Sequence, residues 1–112
     1  MDILTDLNAV LTVVNVPFEI GYFGEEPPDE FVVIIPQADE FIYGDNTPNM
    51  DIRKVRLGVF SKMHPYTLRD NIVKELLAAD FYIADRKYIG FEFETKYHQM
   101  LVDVEKGYEM AV

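Results

Sequence analysis

The chain has 112 residues, of which 49% are hydrophobic, 13% aromatic and 27% charged, the proportions of a folded globular chain rather than a disordered one. That length suits one domain, residues 1–112, and not two. The formal net charge is −10 and there is no cysteine, which excludes a disulfide framework, a thiolate metal site and a thiol nucleophile.

The first sixteen residues, MDILTDLNAVLTVVNV, carry Asp2 and Asp6 but no positive charge, unlike a secretory signal. No apolar run approaches the ~18 residues that span a bilayer, so the chain is expected to be soluble. Within this segment Leu4, Leu7, Leu11 and Val14 mark the stripe of an amphipathic helix. Pro17 is expected to end it, because the residue before a proline avoids the helical region. FEIGYF, residues 18–23, reads as a strand. GEEPPDE follows as a loop, with two prolines and four carboxylates and no hydrophobic face. FVVIIP, residues 31–36, is a short β-branched run that predicts a strand buried on both faces.

Residues 37–50 contain the turn chemistry of GDNTPN, with EFIY extending a strand on either side of it. DIRKVRLGVFS alternates: Val55, Leu57 and Val59 share one face, while Lys54, Arg56 and Gly58 fall on the solvated one. Pro65 suits the first turn of a helix, and Leu68, Ile72, Leu76 and Ala79 predict an amphipathic helix ending near Asp80. FYIAD opens another strand. Phe91, Phe93, Thr95 and Tyr97 alternate as one inward set, and the set then shifts by one to Met100, Val102 and Val104. A one-residue slip reverses the faces of a strand, so a turn or bulge is predicted near Thr95–His98. The expected fold class is α+β, a mostly antiparallel sheet with two helices packed on one face.

Constellations that carry chemistry are scarce. Ser61, the single serine, stands three residues before His64, and Ser-x-x-His within one connection does not set a nucleophile against its base. A loop or capping role suits Ser61 better. His98 stands alone on a strand and reads as a packed or hydrogen-bonded residue. The two histidines lack the spacing of a helical zinc site, and Gly21 with Gly24 makes no phosphate-binding loop. Asp39, Glu40, Asp45 and Asp51 offer oxygen ligands but miss the calcium-loop pattern. No catalytic residue, metal or cofactor is assigned, and an enzyme is not expected.

The charge is divided unevenly. Residues 1–50 hold ten carboxylates and no Lys or Arg, whereas residues 51–112 hold ten of each sign. The first cations, Arg53, Lys54 and Arg56, arrive within four positions. An acidic half argues against binding a phosphate backbone there, which requires cations.

The succession PPDEFVVI, DEFIYGDN, IRKVRLGVFSKMHPYTLRDNIVKELLAADFYI and YIGFEFETKYHQMLVDVE resembles small proteins encoded among the head–tail joining genes of long-tailed phages and prophages. The order and spacing of these motifs carry the resemblance, which covers most of residues 1–106. Thr47-Pro48 stands where the family commonly has Lys just after Asp-Asn. The resemblance implies a tail-completion or tail-terminator protein, an α+β subunit closing into a hexameric ring without catalysis. Its implied partners are other copies of itself, the tail tube protein and the head connector proteins, with no membrane, and DNA passes through the ring without specific binding. Its implied place is the virion head–tail junction, after assembly in the host cytoplasm.

A ring uses heterologous contacts, one patch of each subunit meeting a different patch of the next. On that expectation Arg53, Lys54 and Arg56 face an acidic loop of the neighbour, with Glu25, Glu26, Asp29 and Glu30 as partners, and remaining carboxylates line the channel. The alternative from a different class is an acidic inhibitor or DNA mimic binding a basic partner.

Overall fold

The structure is a computed structural model describing residues 2–22, 24 and 26–110. Its first element, helix α1 (Ile3–Val14), starts where the Asp2 side chain accepts a hydrogen bond from the Thr5 amide at 2.9 Å, satisfying one free N–H of the first turn. That bond holds the Asp2 carboxyl below its usual range. The helix stops before Pro17. Asn15 takes a left-handed conformation with φ of 66°, and its amide and that of Val16 return to the Leu11 carbonyl, a Schellman-type ending. The buried stripe is Ile3, Leu7, Val10 and Leu11, rotated slightly from the expected one.

Strand β1 (Phe18–Ile20) is shorter than FEIGYF because the chain bends at Gly21 and Tyr22; Phe23 lies outside the described residues. β2 (Glu30–Gly44) and β3 (Thr47–Ser61) form a hairpin of fifteen-residue strands. Asp45 and Asn46 join them with φ of 51° and 67°, the pair of positive angles that a type I′ turn requires. Helix α2 (Pro65–Ala78) follows, with Pro65 in its first turn and the His64 Nδ1 accepting from the Tyr66 amide. β4 (Tyr82–Phe91) and β5 (His98–Glu109) close the chain.

The five strands form one sheet in the order β1-β2-β3-β5-β4. β1 runs parallel to β2, and the other pairs are antiparallel. This is an α+β fold with a mostly antiparallel sheet. The main core joins Leu7, Leu11, Ile72 and Leu76 of the helices to Val32, Ile34, Val55, Leu57, Val59, Met100, Val102 and Val104 of the sheet. Phe31, Val33 and Tyr97 form a separate cluster with Ile35 and Phe60. Of the FVVIIP run expected to be buried on both faces, residues 31–34 are buried, whereas Ile35 is half-buried and Pro36 exposed.

Two expectations are corrected. The turn is confined to Asp45 and Asn46 within GDNTPN: Gly44 and residues 47–50 are strand, continuous with the expected EFIY strand, and Asp39, Glu40 and Asp51 stand on a ladder. Of the expected inward set only Tyr97 is buried: β4 ends at Phe91, the chain turns at residues 93–95, and Phe91, Phe93 and Thr95 are exposed. The turn closes with the Lys96 amide on the Glu92 carbonyl, and the phase of the apolar residues changes across it.

Candidate interaction surface

β2 is buried from Phe31 to Ile34 and exposed from Gln37 to Gly44. Beyond Ile34 it loses β1 as a neighbour but stays paired to β3, which pairs in turn with β5 as far as Met50–Glu109. The result is a three-stranded arm that contributes to a long molecule of 53 × 25 × 24 Å. Phe41, Ile42 and Tyr43 lie exposed near its end, with the Phe41 and Tyr43 rings edge-to-face at 6.2 Å. A bulge between Pro36 and Ala38 exchanges the faces of β2. Past it, Asp39 and Phe41 share a face with Arg53 and Asp51, while Glu40 and Ile42 share the other with Lys54, Ile52 and Met50.

The three cations are met by carboxylates of the same chain. Arg53 Nε donates to Asp51 Oδ2 at 2.7 Å and stands 3.6 Å from Asp39. Lys54 Nζ donates to Glu40 at 3.0 Å. Arg56 grips Asp103 through two hydrogen bonds of 2.9 and 3.2 Å. These hydrogen bonds raise all three cations above their ordinary pKa values, the attraction of the same carboxylates adding to the effect. Alternation along β3 puts Arg53 on the helix side and Lys54 and Arg56 on the opposite side, so they do not form one patch.

The acidic loop expected to meet them lies at the other end of the sheet. Asp29 is 3.6 Å from Lys62, Glu30 accepts from the Ser61 hydroxyl at 2.8 Å, and Glu26 is exposed. Glu25 lies outside the described residues. A subunit contact through Arg53, Lys54 and Arg56 therefore has to replace pairs already made.

Where the arm leaves the body, a clamp ties it to both helices. Lys106 Nζ donates to the Ala79 carbonyl at 3.0 Å and lies 3.3 Å from Asp6, and the Tyr108 hydroxyl donates to Asp6 at 2.6 Å. Asp51 is buried beside this clamp, and its Oδ1 has no hydrogen-bond partner among the described residues. The alternation of β5 identifies its inward set but not these long-range partners.

Away from the helices, hollows open on the second face of the sheet. One of about 440 Å³ lies between Phe31, Phe60, Phe91 and Tyr97, and one of about 360 Å³ runs over Val33, Ile35, Gly58 and Leu101. A Cβ at Gly58 would come within 3.3 Å of the Phe60 ring, so a side chain there would crowd this apolar floor.

Ser61 and His64 engage different partners: the Ser61 hydroxyl also accepts from the Met63 amide, and His64 caps α2. His98 hydrogen-bonds the Tyr88 hydroxyl at 2.9 Å. Among the described residues no group of three or more His, Asp or Glu side chains is disposed to hold a metal ion, and no helix is long and apolar enough to cross a membrane. The chain matches no protein-family model and no curated protein.

Proposed function

We propose that this protein is a structural subunit of a phage virion, a tail-completion ring that caps the tail tube and joins it to the head connector. The observation that carries the reading is the pairing of two unlike surfaces on one small subunit. An arm with exposed Phe41, Ile42 and Tyr43 leaves one end, and an apolar floor around Phe31, Val33, Ile35 and Phe60 lies on the sheet of the body. Exposed apolar patches mark contact sites, an apolar hollow offers a seat for one, and two unlike surfaces on one chain suit head-to-tail contacts that close into a ring. The motif succession supplies the hexamer and the partners, namely tube protein on one side and connector on the other. In this reading the ring carries no catalysis. It acts at the head–tail junction after assembling in the host cytoplasm, and its surplus carboxylates line the channel so that DNA passes without binding.

Light scattering over a concentration series at low and moderate salt tests the assembly. The expected species is about six times the 13.0 kDa subunit, or a monomer that forms rings once tail tubes are added, seen as capped ends by electron microscopy. A monomer that ignores tube ends and binds a basic nucleic-acid-binding protein one-to-one overturns this reading in favour of an acidic inhibitor.

A further inference from the structure

The sheet has two free edges. At one side β4 is the terminal strand along its whole length, and at the other β2 is free from Ala38 onward, where β1 has ended. Three successive antiparallel pairings separate β2 from β4, so the two edges run in opposite directions. A second copy placed beside the first in the same orientation would meet it with an antiparallel junction.

Both edges are interrupted by register shifts, and both keep one regular run between them. On β2 this is Ala38–Ile42, and on β4 it is Asp85–Tyr88. The two runs are complementary in charge. Asp39 and Glu40 place one carboxylate on each face, and Arg86 and Lys87 place one cation on each face. Among the described residues the Arg86 guanidinium makes no ion pair, while its main-chain amide donates to Asp85 Oδ1 at 2.8 Å. Asp39, Glu40 and Lys87 side chains are 62%, 63% and 58% exposed, in pairs of 3.6, 3.0 and 3.4 Å that remain open to solvent. Tyr88 and Ile89 on one edge and Phe41 and Ile42 on the other are exposed apolar neighbours of these charges.

We infer that β2 of one copy pairs edge-to-edge with β4 of the next, Glu40 opposite Lys87, joining the sheets of successive subunits. The inference rests on the ring reading and names its contact. That register sets Phe41 across from Arg86 and Asp39 across from Tyr88, with like faces matched. Main-chain hydrogen bonds across such a junction satisfy the exposed backbone of both edges, and alternate side chains set its register. The free run of β2 begins level with the start of β4, since Ala38 aligns with Lys54, Glu105 and Tyr82 across the sheet. Successive copies therefore step along the strands by about 20–25 Å, and the ring closes with strands inclined to its axis, as in barrels.

The chain has no cysteine, so introduced thiols report this contact alone. With Glu40→Cys and Lys87→Cys in one chain, mild oxidation should give a ladder of intermolecular disulfides. An equimolar mixture of the two single variants should stop at the mixed dimer. Lys87→Glu should reduce the assembled fraction at least tenfold at low salt, and adding Glu40→Lys to it should restore assembly, with circular dichroism unchanged in each variant. A six-fold mass without cross-links, unaltered by Lys87→Glu, overturns the strand pairing and leaves the ring. A disulfide ladder on filaments that never close supports the pairing and overturns the ring. Efficient dimers of Glu40→Cys alone indicate a two-fold junction and overturn the head-to-tail contact. Failure to cross-link or assemble, even with tail tubes present, overturns both.

Discussion

The Tyr108 hydroxyl sits where burial and a nearby carboxylate act in the same direction. Burial, then the hydrogen bond to Asp6, raises its pKa above the ordinary tyrosine value. Below about pH 10 the group is protonated in both the folded and unfolded chain and the stabilisation is fully present. Above that pH the unfolded chain releases the proton while the folded chain keeps it, so stability falls as pH rises through the tyrosine range. Tyr108→Phe should show a shallower loss than the native chain between about pH 10 and 12 by urea denaturation; parallel curves would place the effect elsewhere. The cations that stand out in the sequence behave differently. Arg53, Lys54 and Arg56 are signalled by their clustering, but their partners Asp51, Glu40 and Asp103 are cross-strand or alternate neighbours that no local pattern identifies.

At the scale of elements, the β2–β3 hairpin depends on two residues with positive φ. Asparagine enters the left-handed region more readily than other non-glycine residues, whereas a β-branched residue at position 46 costs about 1–2 kcal/mol. Asn46→Val should speed amide exchange along the arm, with the Leu57 and Val59 amides little changed, because no helix covers residues 38–44. Asn46→Gly should leave that exchange as it is or slow it. Uniform acceleration over the whole sheet would show instead that arm and body open together. GDNTPN reveals this turn to the sequence reader. The length of the arm is hidden, because exposed strands have no buried face to impose a two-residue hydrophobic period.

For the whole molecule, one core connects both helices to β2, β3 and β5. Ile72 is fully buried within it, and Ile72→Ala should cost about 2–5 kcal/mol through lost burial and the cavity left behind. Circular dichroism and tyrosine fluorescence should then lose signal at one shared midpoint, since the helices have no separate support. Two separated midpoints would contradict the single core. Stability and assembly are therefore separable: Ile72 belongs to the first, and Glu40 and Lys87 to the proposed second.

The amphipathic stripes of α1 and α2, the alternation of Val55, Leu57 and Val59, the buried FVVI run and the Asp45-Asn46 turn are all local patterns, and the sequence by itself determined them. Local periodicity reports which face of an element meets the core. Only the tertiary structure decided that β1 joins in parallel, that β5 enters between β3 and β4, that the arm projects, and that Phe93 faces solvent. Those outcomes depend on pairings between residues far apart in the chain. Alternation fixes the face that a strand buries but leaves its neighbours open, and backbone hydrogen bonding, which sets neighbours and register, is common to every residue except proline.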